Sequence, residues 1–304
     1  FKGCIIEHGS ILIDGSNNRI KGLRSEGVPL RMNGSGNGVE DSSFSNIESE
    51  SAVILYNKYR HDLARAMGFV ERCVFDGSSG GQATVLLSGT GMACTNCTFT
   101  DQGHRPIPAI KLCGSKHIVS YNDIEYVYHK GNSDDAGAIV IGRRWDWVGN
   151  SISNNSIYCM NPHGVPCDKP KLSGIYLDDG ISFVSAFNNT VVGFPIGVKL
   201  GGGSFNDIEN NRFLFCENGV RFDARYSVGY LKPTQSKAAL DAIQRDSQLW
   251  REYGAYLDHL TGIPTGNSIQ NNRFVECGSK VCQPDGLNYY GQNAIDTMNR
   301  TMTL

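Results

Sequence analysis

A four-residue signature recurs along this chain. It reads Asn17-Asn18-Arg-Ile20, Asn154-Asn155-Ser-Ile157, Asn188-Asn189-Thr-Val191, Asn210-Asn211-Arg-Phe213 and Asn271-Asn272-Arg-Phe274. Looser copies fill the gaps at Phe44-Ser-Asn-Ile47, Arg72-Cys-Val-Phe75, Asn96-Cys-Thr-Phe99 and Tyr121-Asn-Asp-Ile124. With the second residue of each as marker, the positions are 18, 45, 73, 97, 122, 155, 189, 211 and 272, in steps of 27, 28, 24, 25, 33, 34, 22 and 61. A base period of 22 to 28 residues with three longer steps is that of a solenoid whose coils stack parallel strands. Leucine-rich repeats share the period, but their leucine spacing is absent and β-branched and aromatic residues fill the inward slots. The pattern predicts an all-β, right-handed parallel β-helix forming one domain over 1–304. Asn suits its corners because the amide can bond the equivalent Asn one coil away, and because Asn tolerates left-handed backbone angles.

A second repeat gives the strand between corners: Ala109-Ile-Lys-Leu-Cys113, Gly137-Ala-Ile-Val-Ile-Gly142, Gly174-Ile-Tyr-Leu-Asp-Asp-Gly180, Gly197-Val-Lys-Leu-Gly201 and Gly219-Val-Arg-Phe-Asp223. Side chains alternate across a strand, so Ile175, Val198 and Val220 face inward with Leu177, Leu200 and Phe222. On the opposite face Lys111, Ile139, Tyr176, Lys199 and Arg221 are expected to form one outward column. Cys113, Ile141, Asp178, Gly201 and Asp223 form the next.

The long steps mark loops. Two of them, 125–137 and 160–173, fall on consecutive coils and predict neighbouring walls over one patch of sheet, floored by the outward columns. The third insertion, 226–264, carries Leu240, Ile243, Trp250, Tyr253 and Leu257 at helical spacing, predicting one short helix near 234–259 that lays an apolar stripe on the coil.

Into that groove would project an acidic cluster of Asp134, Asp135, Asp178 and Asp179. Two carboxylates facing one groove can divide acid and nucleophile or base roles in glycoside cleavage; Asp before Gly is also a common turn residue. Asp135 lies six positions from the level of Asp178, about 20 Å in an extended strand, so the pair needs a loop folded back over the sheet. Asp223, two coils on from Asp178 at about 9 to 10 Å, is a second candidate. Arg143, Arg144, Trp145 and Trp147 follow the Gly137 strand, and Trp faces stack on sugar rings while Arg holds acidic groups in a two-pronged contact. His129 and His163 sit in the flanking loops. Lys111, Lys199 and Arg221 suit an acidic sugar, and equally suit the solvated outside of any solenoid.

The ordered set from about Asn122 to Cys277, roughly half of the chain, resembles glycoside hydrolase family 141, among the β-helix carbohydrate-active proteins. The pieces are Asp135-Ala-Gly137 leading to Gly142-Arg143 and Trp145, then Gly174 to Gly180, Gly201-Gly-Gly203 before Asn210-Asn211, Asp223-Ala-Arg225, and Leu249-Trp-Arg-Glu252. The resemblance implies an extracellular enzyme acting on plant or algal polysaccharide and a catalytic pair of Asp135 with Asp178 or Asp179; the groove reading adds Tyr176, Lys199, Arg143, Trp145, His129, His163 and Arg221 as substrate contacts. The resemblance also implies a longer tube of which this chain is part. At Arg144 the chain departs from the family pattern, which has an acid there, and this puts the activity in question.

Other classes are bounded by charge and cysteine usage. Net charge of -2 and a pI near 6.4 give no general attraction to nucleic acid or anionic membrane. No apolar run is long enough to span a bilayer. Ten cysteines, with a lone Cys94-x-x-Cys97 and no second pair, argue against zinc and for disulfides, Cys159 with Cys167 and Cys277 with Cys282 being the short-loop candidates. Sequons at Asn33, Asn96, Asn154, Asn188 and Asn299 agree with secretion, and a start at Phe1 without Met reads as a mature form or a fragment. No metal or other cofactor is called for; Ca²⁺ would enter only with one rival, a polysaccharide lyase or epimerase on the same fold. The other rival is a structural extracellular glycoprotein whose coils associate end to end.

Overall fold

The computed structural model describes residues 5–6, 9–58, 67–77, 80–102, 107–126, 136–159, 171–223, 248–257 and 266–282. Among them, strands cycle through three sheets in strict rotation. Every strand pairs in parallel with the third strand before and after it, giving sheets of ten, ten and nine strands. Each turn of chain thus lays one strand on each sheet, and those strands bond to the coils above and below. The chain is a parallel β-helix. The helix Gln248–Leu257 lies between the strands Asn218–Asp223 and Ser268–Gln270. It falls within the stretch near 234–259 predicted as helical; residues 224–247 lie outside the described residues.

The tube is filled by columns of identical role. On one sheet Phe44, Phe75 and Phe99 stack with ring centroids 5.4 and 4.8 Å apart, and Phe213 meets Phe274 at 5.3 Å. On the sheet that carries the groove, Ile110, Ile139, Ile175, Val198 and Val220 form one inward column and Leu112, Ile141, Leu177 and Leu200 the next, all essentially inaccessible. Each such side chain contributes about 1.5–3 kcal/mol by leaving water.

This register corrects one assignment. Ile139 sits beside Ile110 and Ile175 and points in; Val140 takes the outward place beside Lys111 and Tyr176. A slip of one residue exchanges faces. The strand Gly137–Ile141 is buried along its whole length and has no polar alternation to mark its outside.

At the corner before the phenylalanine sheet the double Asn divides its labour. The first residue takes left-handed angles (φ 55° at Asn154, Asn188 and Asn210, 53° at Asn271). The second turns in and forms a ladder: Asn122 Nδ2 donates to Asn155 Oδ1 at 2.9 Å, Asn155 to Asn189 at 2.9 Å, Asn189 to Asn211 at 3.0 Å and Asn211 to Asn272 at 3.1 Å. Each Nδ2 also donates to a carbonyl on the preceding coil, as Asn155 does to Val119 O at 3.0 Å. Cys97 and Cys73 continue the column; Cys97 N donates to Asn122 Oδ1 at 3.0 Å and Cys73 N to Cys97 Sγ at 3.5 Å.

The first two markers of the sequence repeat are misplaced. The corner positions there are Leu23 and Ser42, joined by Leu23 N donating to Ser42 Oγ at 3.0 Å. Asn18 belongs to a second ladder, at the start of the strands of the nine-stranded sheet, where its N–H donates to Asn37 Oδ1 at 2.9 Å. Asn150, Asn206 and Asn267 hold the same place on later coils.

His117 occupies a rung of this second ladder. It is fully buried, its backbone N–H donates to Asn150 Oδ1 at 2.9 Å, its Nδ1 accepts from Met92 N at 3.2 Å, and its Nε2 has no hydrogen-bond partner among the described residues. Burial pushes its pKa down to about 4. Since the folded value lies below the unfolded value of ~6.5, the stabilisation is complete above pH ~6.5 and is lost as pH falls toward 4, by about 3 kcal/mol. His117→Asn continues the ladder with a group that does not titrate. Urea unfolding at pH 7 and pH 4.5 is expected to show a steep loss in the wild type and a flatter one in the variant; parallel losses would remove His117 as the cause.

The corner also accounts for three sequons. In Asn96-Cys97-Thr98, Asn154-Asn155-Ser156 and Asn188-Asn189-Thr190 the first residue is the left-handed corner, the second the ladder and the third the start of a strand. The triplets arise from the fold with or without a glycan. Asn33 ends a strand and donates to Asp14 Oδ1 at 2.6 Å; Asn299 lies outside the described residues.

Of the proposed disulfides, Cys277 is a free thiol, so the pairing with Cys282 is not formed. Its column explains this: Cys277 and Cys216 hold equivalent places on neighbouring coils, and Gly278 N donates to Cys216 O at 3.0 Å. Cys159 is disulfide-bonded. Cys167, the partner named from spacing, lies outside the described residues.

Candidate functional site

The outward face of the groove sheet carries the row Lys111, Val140, Tyr176, Lys199 and Arg221, one residue per coil. The next outward row runs through Gly142, Asp178, Gly201 and Asp223. Asp178 stands beside Gly142 rather than Ile141, a consequence of the corrected register. A Cβ at Gly142 would lie 2.6 Å from Asp178 Cβ, so this rung closes only over a glycine.

A depression of about 560 Å³ opens over these rows. Its wall on one side comes from Gln82, Ile107 and Pro108 of the preceding coils, and on the other from Arg143, Arg144 and Trp147; Lys111, Tyr176 and Asp178 lie on its floor.

Asp178 is the buried acid of this floor, its side chain only 8% exposed. Arg143 Nε donates to Asp178 Oδ2 at 3.3 Å and stands 3.8 Å from Asp179 Oδ2. Neither aspartate points into the tube: Asp178 faces outward from the end of its strand, and Asp179 takes the left-handed corner at φ 50°. Carboxylates that share one guanidinium nitrogen are closer together than the ~9.5 Å upper spacing of inverting glycosidases. The Arg143 guanidinium is held protonated above its ordinary value, chiefly by the Asp178 charge.

Lys199 and Tyr176 are a pair. The ammonium lies 4.2 Å from the ring centroid, both side chains being buried although they face away from the core. Arg221, one coil further, is half-buried.

The two tryptophans exchange roles relative to expectation. Trp145 is 5% exposed and does not line the depression; Trp147, partly exposed, does. Arg144 grips the fully buried Asp146 with two parallel bonds of 2.8 and 2.9 Å. It therefore pins the loop rather than standing as a misplaced charge. Nothing in the repeats separates Trp145 from Trp147, because this segment belongs to neither of them. Gln82, Ile107 and Pro108 were missed for a related reason: they reach the site from earlier coils. Asp134, Asp135, His129 and His163 lie outside the described residues, and of Asp223 only the backbone register is described.

The helix flanks the corner at which the groove strands end. Tyr253 packs against Phe183 at 5.0 Å and its hydroxyl accepts from Lys116 Nζ at 2.7 Å, while Lys116 pairs with Glu252.

No protein-family model matches the chain, and no curated protein does. The resemblance to glycoside hydrolase family 141 therefore has no support from either comparison. A solved structure, that of the Dettilon tailspike protein, is similar over 93% of this chain and 56% of its own, at 14% identity and a TM-score of 0.36. The chain thus spans little more than half the length of that protein. Among the described residues no helix is long and apolar enough to cross a membrane.

Proposed function

We propose that the depression on the groove sheet binds a polysaccharide and that Asp178 acts there in hydrolysis of a glycosidic bond. The observation that carries this reading is a buried carboxylate on the floor of an open depression, with a second carboxylate on the same arginine and an indole beside it. Each part has a use. Trp147 offers a flat apolar face to the C–H side of a sugar ring. Asp178 serves as nucleophile or base, and Asp179 or the loop residue Asp135 as its partner, the carboxylate spacing deciding between retention and inversion. Arg143 caps Asp178 through Nε while the rest of its exposed side chain lines the depression. Action outside the cell agrees with the half-cystine at Cys159.

A binding protein without chemistry is the second reading, favoured by the same contact, since Arg143 covers Asp178 as it stands. Incubation of the purified protein with a panel of plant, algal and bacterial polysaccharides separates the two. Release of new reducing ends supports hydrolysis; retention on the polysaccharide without release leaves binding alone. An unsaturated product would instead assign β-elimination and overturn the hydrolase.

A further inference from the structure

The basic residues of the groove sheet are not equivalent once their partners are known. Lys199 is spent on the Tyr176 ring and Arg144 on Asp146. Two cations remain. Lys111, partly exposed, has one neutral partner, the amide oxygen of Gln82 at 3.3 Å, and meets no carboxylate among the described residues. Among the described residues Arg143 meets Asp178 and Asp179 through Nε, and the two terminal nitrogens of its fork have no acceptor there; its side chain is 76% exposed. Both line the depression.

We infer that the ligand of this depression is an anionic polysaccharide whose carboxylate or sulfate group is held by the Lys111 ammonium and the free fork of Arg143. The inference rests on the reading of the depression as a saccharide site and names the class of sugar.

A neutral chain laid over these groups would strip water from two cations and return only hydroxyl contacts. An anion replaces that water with charge-assisted bonds, bidentate at Arg143. The preference is local to the depression, because the protein as a whole carries a net charge of -2. Discrimination comes as much from the penalty on the neutral ligand as from attraction to the charged one. An acidic group held by Arg143 lies next to Asp178, which Arg143 already contacts.

The test uses pairs that differ only in charge: polygalacturonate against its methyl ester, and dextran sulfate against dextran. Affinities are measured at low and high salt for the wild type, Lys111→Gln, Lys111→Arg and Arg273→Gln, the last an exposed cation on a different sheet. The anionic member of at least one pair is expected to bind about tenfold or more tightly than its neutral partner, with the advantage shrinking in salt. Which pair shows it distinguishes carboxylate from sulfate. Lys111→Gln should remove most of the advantage and leave the neutral member unaffected, Lys111→Arg should keep it, and Arg273→Gln should change nothing. Equal affinities within both pairs, or equal losses in Lys111→Gln and Arg273→Gln, overturn the inference. Binding of neutral members only would overturn it and leave the saccharide site standing; binding of none would remove both.

Discussion

Asp178→Asn is expected to lower glycosidic release by about 10²–10⁴-fold while leaving the protein folded. The substitution keeps the shape of the side chain, so the close fit over Gly142 survives and the backbone bond from Asp178 N to Ile141 O at 2.7 Å is untouched. What disappears is the charge. Arg143 loses its main anionic partner, but its side chain is largely in solvent, and an ion pair with such an exposed member contributes only about 0–1 kcal/mol. The measurement is a paired one: reducing ends released per unit time, and the thermal midpoint of each variant. Undiminished release by a folded Asp178→Asn protein would sink its assignment as a catalytic group. Asp179→Asn, at the corner, is the natural comparison. A loss as large as that of Asp178→Asn would mean the two act as a pair, and a small one would return the partner role to Asp135.

Asn155→Ala is expected to cost about 3–5 kcal/mol of folding stability, more than most single core truncations of a β-branched residue. Asn155 is the centre of the ladder. Its Oδ1 accepts from both the backbone N and the Nδ2 of Asn122, at 3.0 and 2.9 Å, and its Nδ2 satisfies Asn189 Oδ1 and Val119 O. All of these groups are buried, and no water can reach them without opening the corner. Removing the amide leaves the buried Asn122 N without its acceptor and takes one bond each from Asn122 Nδ2, Asn189 Oδ1 and Val119 O, on the coils to either side, each loss costing up to ~1–3 kcal/mol before relaxation. Asn272→Ala removes the same chemistry from the last described rung, which is only part-buried, and should cost about 1 kcal/mol. Denaturant unfolding of both variants gives the comparison. Equal and small costs would mean that stacking of the apolar columns, and not the ladder, sets the corner.

Several features of this protein were written in the chain before any coordinates. A solenoid presents the same environment once per coil, so any residue whose role is set by position within the coil repeats with the period. The inward column of Ile175, Val198 and Val220, the left-handed corner at Asn154, Asn188 and Asn210, and the ladder at Asn122, Asn155, Asn189 and Asn211 are all of this kind. The second ladder was equally periodic and could have been read from Gly149-Asn150, Phe205-Asn206 and Gly266-Asn267, a left-handed residue followed by Asn before each strand.

Tertiary structure alone decided the rest, because those features depend on which coils lie side by side and how far a non-repeating side chain reaches. Gly137–Ile141 is apolar on both faces and carries no signal of its own orientation; only pairing with Lys111 and Tyr176 shows that Val140, not Ile139, faces the groove. Arg144 looks like a charge in the wrong place until Asp146 is seen beneath it, and Trp147 looks no different from Trp145 until one is buried. Lys111, Lys199 and Arg221 form one column in sequence, yet neighbours divide them: an aromatic ring occupies Lys199, whereas Lys111 is left facing the depression with a neutral amide. Periodicity determines the tube and its interior, and lateral contact between coils determines the chemistry of its surface.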